Sequence, residues 1–142
     1  MPLLPPSGAR TTPSASSLHE AWSPPPLLLE TACGDDDLIA ELILTFSTDT
    51  AARIRRSREA FAACDFSRIR MEAHTIKGGA RQVGADAVAE ACQELETVAR
   101  LQEAFLVAAR LDRVQEVFEE IGGEMASYSS RRSAEPATTP SI

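Results

Sequence analysis

Residues 107–128 read VAARLDRVQEVFEEIGGEMASY, and their spacing decides the fold. Val107, Leu111, Val114, Phe118, Ile121, Met125 and Tyr128 alternate steps of four and three without a miss, the period of a helix that buries one face. Gly122 and Gly123 interrupt the run, each costing about 1 kcal/mol relative to Ala, so the helix is expected to fray or stop there.

Working towards the N-terminus, the same period recurs three times. Val88, Ala91, Cys92, Leu95 and Val98 share a face of a helix expected from about Ala85. Phe66, Ile69, Ala73, Ile76, Ala80 and Val83 share a face of another, with Asp65 placed to cap its start and Gly84 to end it in a left-handed conformation. Ile39, Ile43, Phe46, Thr50, Ile54, Ser57 and Phe61 define a third, behind the acidic run Asp35-Asp36-Asp37, which suits the positive end of a helix dipole. A short Leu27–Thr31 segment precedes it. No stretch alternates in the strand manner. The expected fold is all-α: an antiparallel up-down four-helix bundle over residues 27–128 with a short extra N-terminal helical segment.

All nine prolines lie outside residues 27–135. Residues 1–26, with seven of them, are expected to be a disordered leader or linker, and Trp22 and His19 either part of that tether or a short docking motif. Residues 129–142 are expected to be a disordered tail. Residues 27–128 hold 11 basic and 19 acidic residues, a net charge of −8, which argues against nucleic-acid binding. The longest apolar runs fall far short of the roughly 20 residues of a membrane span, and the N-terminus has no apolar core of signal-peptide length. Three cysteines, Cys33, Cys64 and Cys92, lack CxxC spacing, which fits reduced thiols in the cytoplasm better than a disulfide framework or a zinc site.

The chemistry concentrates in residues 73–84, AHTIKGGARQVG. At 100° per residue Lys77 lies about 60° from His74, Gly78 about 40° and Arg81 about 20°, so the four share one stripe beside the apolar face and are expected to be at least partly exposed. Lys77 is the only lysine among 14 basic residues, and His74 the only histidine between the proline-rich ends. A glycine pair inside a helix is costly. Either Gly78 opens the imidazole to a bulky partner, or Gly78 and Gly79 admit a neighbouring helix and His74 is an ordinary surface histidine.

This stretch resembles the signature of histidine-containing phosphotransfer (HPt) domains of phosphorelays, H-x-[LI]-K-G-x-x-x-x-x-G, with His74, Ile76, Lys77, Gly78 and Gly84 in the defined positions. Cys92-Gln93-Glu94-Leu95-Glu96 matches the family's C-x-x-L-E. The resemblance implies that His74 Nε2 accepts and donates a phosphoryl group, that Lys77 stabilises its charge, and that Glu96 on the adjacent helix orients the ring through Nδ1. Gly78 would make room for a response-regulator receiver domain, with Arg70, Arg81 and Gln82 on the surface it meets. Arg81 departs from the small residue common at its position. It is either a second charge for the phosphoryl group, a contact with the receiver, or a solvated side chain. Arg81 with Gln82 also resembles a variant found at the C-terminus of hybrid sensor kinases.

The resemblance further implies no cofactor or metal in this chain, with Mg²⁺ in the partner receiver, and a monomer. No G-x-x-x-x-G-K-[ST] loop appears, and beside the bundle no length remains for an ATP-binding kinase domain, so a phosphotransfer intermediate without kinase activity is expected, either stand-alone or part of a hybrid kinase. The alternative is a non-catalytic helical module that binds receivers or other signalling partners.

Overall fold

The structure is a computed structural model and describes residues 21–134. Five helices follow one another: α1 (Pro26–Thr31), α2 (Asp36–Ala62), α3 (Phe66–Gln82), α4 (Asp86–Arg100) and α5 (Ala104–Ala134). The four long ones close a ring of neighbours, α2 on α3, α3 on α4, α4 on α5 and α5 back on α2.

Several of the helix ends have local causes. The Asp35 carboxylate accepts from the amides of Asp37 and Leu38, and that of Asp65 from the amide of Arg68, which satisfies donors that a helix start leaves without partners. The connections share one device. The amides of Gly34, Asp65, Ala85 and Glu103 each donate to the carbonyl five residues back, as in a Schellman ending. The residue before each of them, Cys33, Cys64, Gly84 or Gln102, takes the left-handed conformation that motif needs. Only one is a glycine, so glycine placement alone foretells one helix end in four.

The core is built from the residues that the 4-3 spacing selects. Ile39, Ile43, Phe46, Thr50, Ile54 and Ser57 of α2, Ile69, Ala73, Ile76 and Ala80 of α3, Val88, Ala91, Cys92 and Leu95 of α4, and Val107, Leu111, Val114 and Met125 of α5 are buried together. Phe61, Phe66, Val98, Phe118, Ile121 and Tyr128 pack against them half-buried.

Three expectations are corrected. Helix α5 does not stop at Gly122 and Gly123 but runs through them to Ala134; Met125 and Tyr128 pack beyond the glycines, and Arg132 pairs with Asp36 at 3.1 Å, contacts that offset the backbone cost. Residues 129–134, expected in a disordered tail, are therefore the end of a helix, while residues 135–142 lie outside the described residues. The leader's last residues are likewise part of the fold. Trp22 is 6 % exposed; its indole N–H donates to the Val83 carbonyl at 2.7 Å, its backbone amide donates to Glu124 at 2.7 Å, and its ring meets Tyr128 edge-on. Trp22 is a core residue and not a free docking motif, whereas His19 lies outside the described residues. Proline content hid this, because a proline-rich segment needs only one large aromatic with a hydrogen-bond partner to be held down. Pro25 completes the contact: a Cβ on Gly84 (φ +74°) would stand 3.0 Å from its ring, so Gly84 serves both the turn and this close approach.

Candidate functional site

Helix α3 presents His74 outward, with its side chain 73 % exposed. Opposite stands α4, whose buried face continues from Cys92 and Leu95 to Glu96. The Glu96 side chain is only 10 % exposed, and its Oε2 lies 3.6 Å from His74 Nδ1 and 2.7 Å from Lys77 Nζ. Lys77 Nζ also donates to Gln93 Oε1 at 2.8 Å. Four of the residues in the two matching stretches thus meet between α3 and α4.

The stripe expected to be exposed is therefore split. His74, Gly78 and Arg81 face solvent, but Lys77 is buried. Its place about 60° round the helix from His74 lies on the side where α4 packs, so its aliphatic stem joins the interface and its ammonium is held by Glu96 and Gln93. That ion pair is close but not aligned as a hydrogen bond, which leaves Glu96 Oε2 buried without an aligned donor. A buried acceptor in that state is costly, and His74 Nδ1 is the next group within reach.

The glycine alternatives also separate. A Cβ on Gly78 would meet nothing within 4 Å, and one on Gly79 would touch Phe46 at an ordinary 3.7 Å. Close helix packing does not require a glycine at 78; the notch it leaves opens outward, a turn above His74. Gly84 lies at the end of α3, apart from the histidine, in its structural place beside Pro25. Arg70, Arg81 and Gln82 are exposed. A depression of about 400 Å³ beside the imidazole is lined by Ser67, Arg70, Met71, His74, Thr75 and Glu96. A larger hollow, about 540 Å³, lies between α1, α2 and α3 and has Leu42, Phe46, Gly79 and Gln82 in its wall, without His74.

Sequence reading missed two features. Gln93 is one; its only signal is a place three residues before Glu96 on the same helix. The other is Glu72, 4 % exposed, which accepts from Arg53 at 2.9 Å, Arg56 at 3.1 Å and Arg68 at 3.0 Å. Burial works against its carboxylate, but the hydrogen bonds from Arg56, Arg68 and Arg53 outweigh it and hold its pKa below the usual range. The cluster fastens α3 to α2, on the side of α3 away from Lys77. Nearer the site, burial first and the Glu96 charge second push the Cys92 thiol up to about 12, against a lowering by Lys77, so Cys92 is an inert core residue.

Two comparisons with known proteins find a match. The model of the Hpt domain family matches residues 41–124. Among solved structures, the crystal structure of histidine-containing phosphotransfer protein B (HptB) from Pseudomonas aeruginosa PAO1 is similar with a TM-score of 0.69 and 27 % identity, over 78 % of this chain and 96 % of that one. No match is found among curated proteins.

Proposed function

This chain belongs to the Hpt domain family, and on that premise we propose that His74 is the residue through which it passes a phosphoryl group between receiver-domain aspartates. As a family member it is a histidine phosphotransfer protein of a two-component phosphorelay. The observation that carries the assignment is the exposed imidazole whose Nδ1 faces a buried, incompletely satisfied Glu96 oxygen.

The chemistry follows from that placement. With its proton on Nδ1 directed to Glu96, the ring offers the Nε2 lone pair to solvent. Nε2 attacks the phosphorus of an aspartyl phosphate; the N–P bond forms, the P–O bond to the aspartate breaks, and the carboxylate leaves with the electron pair. The ring becomes cationic as the bond forms, and Glu96 stabilises that charge through the Nδ1 proton. Transfer onward is the reverse. Lys77, held by Glu96 and Gln93, fixes the carboxylate in place and adds positive potential beside the transferred group. Gly78 clears the approach of the receiver, and Arg70, Arg81 and Gln82 belong to the surface it meets.

The four long helices form an antiparallel up-down bundle that acts as a monomeric cytoplasmic carrier, without kinase activity or a cofactor of its own, while Mg²⁺ sits in the receiver. A hybrid sensor kinase is one source of the phosphoryl group. The test is incubation with a phosphorylated receiver. The chain acquires acid-labile, alkali-stable phosphate and His74→Gln does not. Label on His74→Gln overturns the assignment; a receiver complex that never labels the chain supports the binding-only alternative.

A further inference from the structure

We infer that Arg70 is the cation that holds the phosphoryl group once it is on His74. The inference rests on the phosphotransfer reading of His74 and adds a residue to it. Three cations share or border the histidine stripe, and the structure treats them differently. The Lys77 ammonium is committed to Glu96 Oε2 and Gln93 Oε1 between α3 and α4. Arg81 lies seven residues beyond His74, nearly two turns away, outside the three- and four-residue spacings at which helix side chains meet. Arg70 lies four residues before it, about 40° round the helix, and is exposed in the wall of the same depression as His74 and Glu96.

Arg70 is also unclaimed: no carboxylate among the described residues pairs with it, although Arg68, two residues earlier, is bound to Glu72 at 3.0 Å. Carboxylates are not scarce, since residues 27–128 carry 19 acids against 11 bases. An unpaired guanidinium one turn from the acceptor provides a planar fork that matches two phosphoryl oxygens. Phosphorylation then creates an i, i+4 pair of opposite charges where the unmodified protein has none.

Binding to the phosphoryl group and binding to the receiver leave different signatures. A receiver contact changes forward and reverse transfer rates together and leaves the equilibrium between free phosphorylated species untouched. A phosphoryl contact exists only in the phosphorylated carrier and shifts that equilibrium. We expect Arg70→Ala to lower the share of phosphate held by the carrier against a receiver by roughly three- to tenfold, with Arg70→Lys intermediate. Treatment with phosphoramidate, which needs no receiver, should also shift the Arg70 Nε–H resonance in ¹⁵N NMR and leave that of Arg81 in place. Equal transfer equilibria for Arg70→Ala and the unmodified chain, or an Arg70 resonance that does not move when His74 is phosphorylated, overturns the inference while His74 keeps its role. Failure of the unmodified chain to accept phosphate from either source overturns the phosphotransfer reading itself.

Discussion

Replacing Lys77 with Met tests whether the buried ion pair organises the site. Met keeps the length and the apolar character of the stem and removes only the ammonium. What remains is a Glu96 carboxylate in a side chain 10 % exposed, whose Oε2 already lacks an aligned donor. Removing one member of a buried pair costs about 3–5 kcal/mol. The cost here falls somewhat below that range, because His74 Nδ1 stands 3.6 Å from the same oxygen and can turn a donor towards it; about 2–3 kcal/mol is expected. For a domain of this size that corresponds to a fall in Tm of around 10 °C.

The assay is thermal unfolding of four proteins: the unmodified chain, Lys77→Met, Glu96→Gln and the double variant. If the cost of Lys77→Met is that of a stranded charge, removing the charge at position 96 returns part of it, and the double variant is more stable than Lys77→Met alone. A coupling of more than about 1 kcal/mol is expected for groups in such contact. Phosphotransfer by Lys77→Met, measured well below its melting point, should be slowed, because Glu96 is no longer fixed opposite Nδ1. Stability within 0.5 kcal/mol of the unmodified chain, an estimate of the effect of an ordinary surface change, or strictly additive single effects would refute the reasoning.

Two further outcomes concern the frame around the site. Glu72 has a lowered pKa, so its stabilising contribution is complete above the ordinary carboxylate range and disappears as pH falls through the lowered value. Glu72→Gln should therefore lower stability at neutral pH and flatten the acid limb of the stability profile; curves parallel to those of the unmodified chain would contradict it. Trp22→Phe keeps an aromatic ring but loses the indole donor to the Val83 carbonyl, with an expected cost of about 1–2 kcal/mol read from the urea midpoint by circular dichroism; an unmoved midpoint would mean that this hydrogen bond adds nothing to the fold.

The four long helices and most of the core were legible because a 4-3 period records burial directly, and the starts at Asp35 and Asp65 were legible because a capping side chain acts within three residues of its own position. The ends were less so, since Cys33, Cys64 and Gln102 adopt the left-handed conformation without the glycine that normally announces it. His74 and Glu96 could be singled out through their spacing from the other residues of a known pattern, and they stand 3.6 Å apart. The burial of Lys77, the part played by Gln93 and the cluster around Glu72 depend on which flank of α3 meets which neighbour. Helical periodicity in α3 states how much of it is covered, but not whether α2 or α4 covers a given flank. Trp22 was lost for the opposite reason: composition averaged over residues 1–26 concealed one residue whose contacts lie 61 and 102 positions away.

Burial of Lys77 also changes what a lysine at that position is for. An ammonium free in solvent would follow the phosphoryl group loosely and lose side-chain entropy each time it did so. One already fixed by Glu96 and Gln93 has lost that entropy in folding, and it holds a carboxylate opposite His74 Nδ1 before any partner arrives. A solvent-exposed glutamate would give the ring little orientation, since water competes for both groups. In the proposed role, burial of Glu96 would strengthen a hydrogen bond from the imidazole, and burying Lys77 with it keeps that charge compensated. In the role proposed for it, the exposed histidine would be oriented by a rigid interior while its other nitrogen stays open, the combination that an acceptor serving more than one receiver requires.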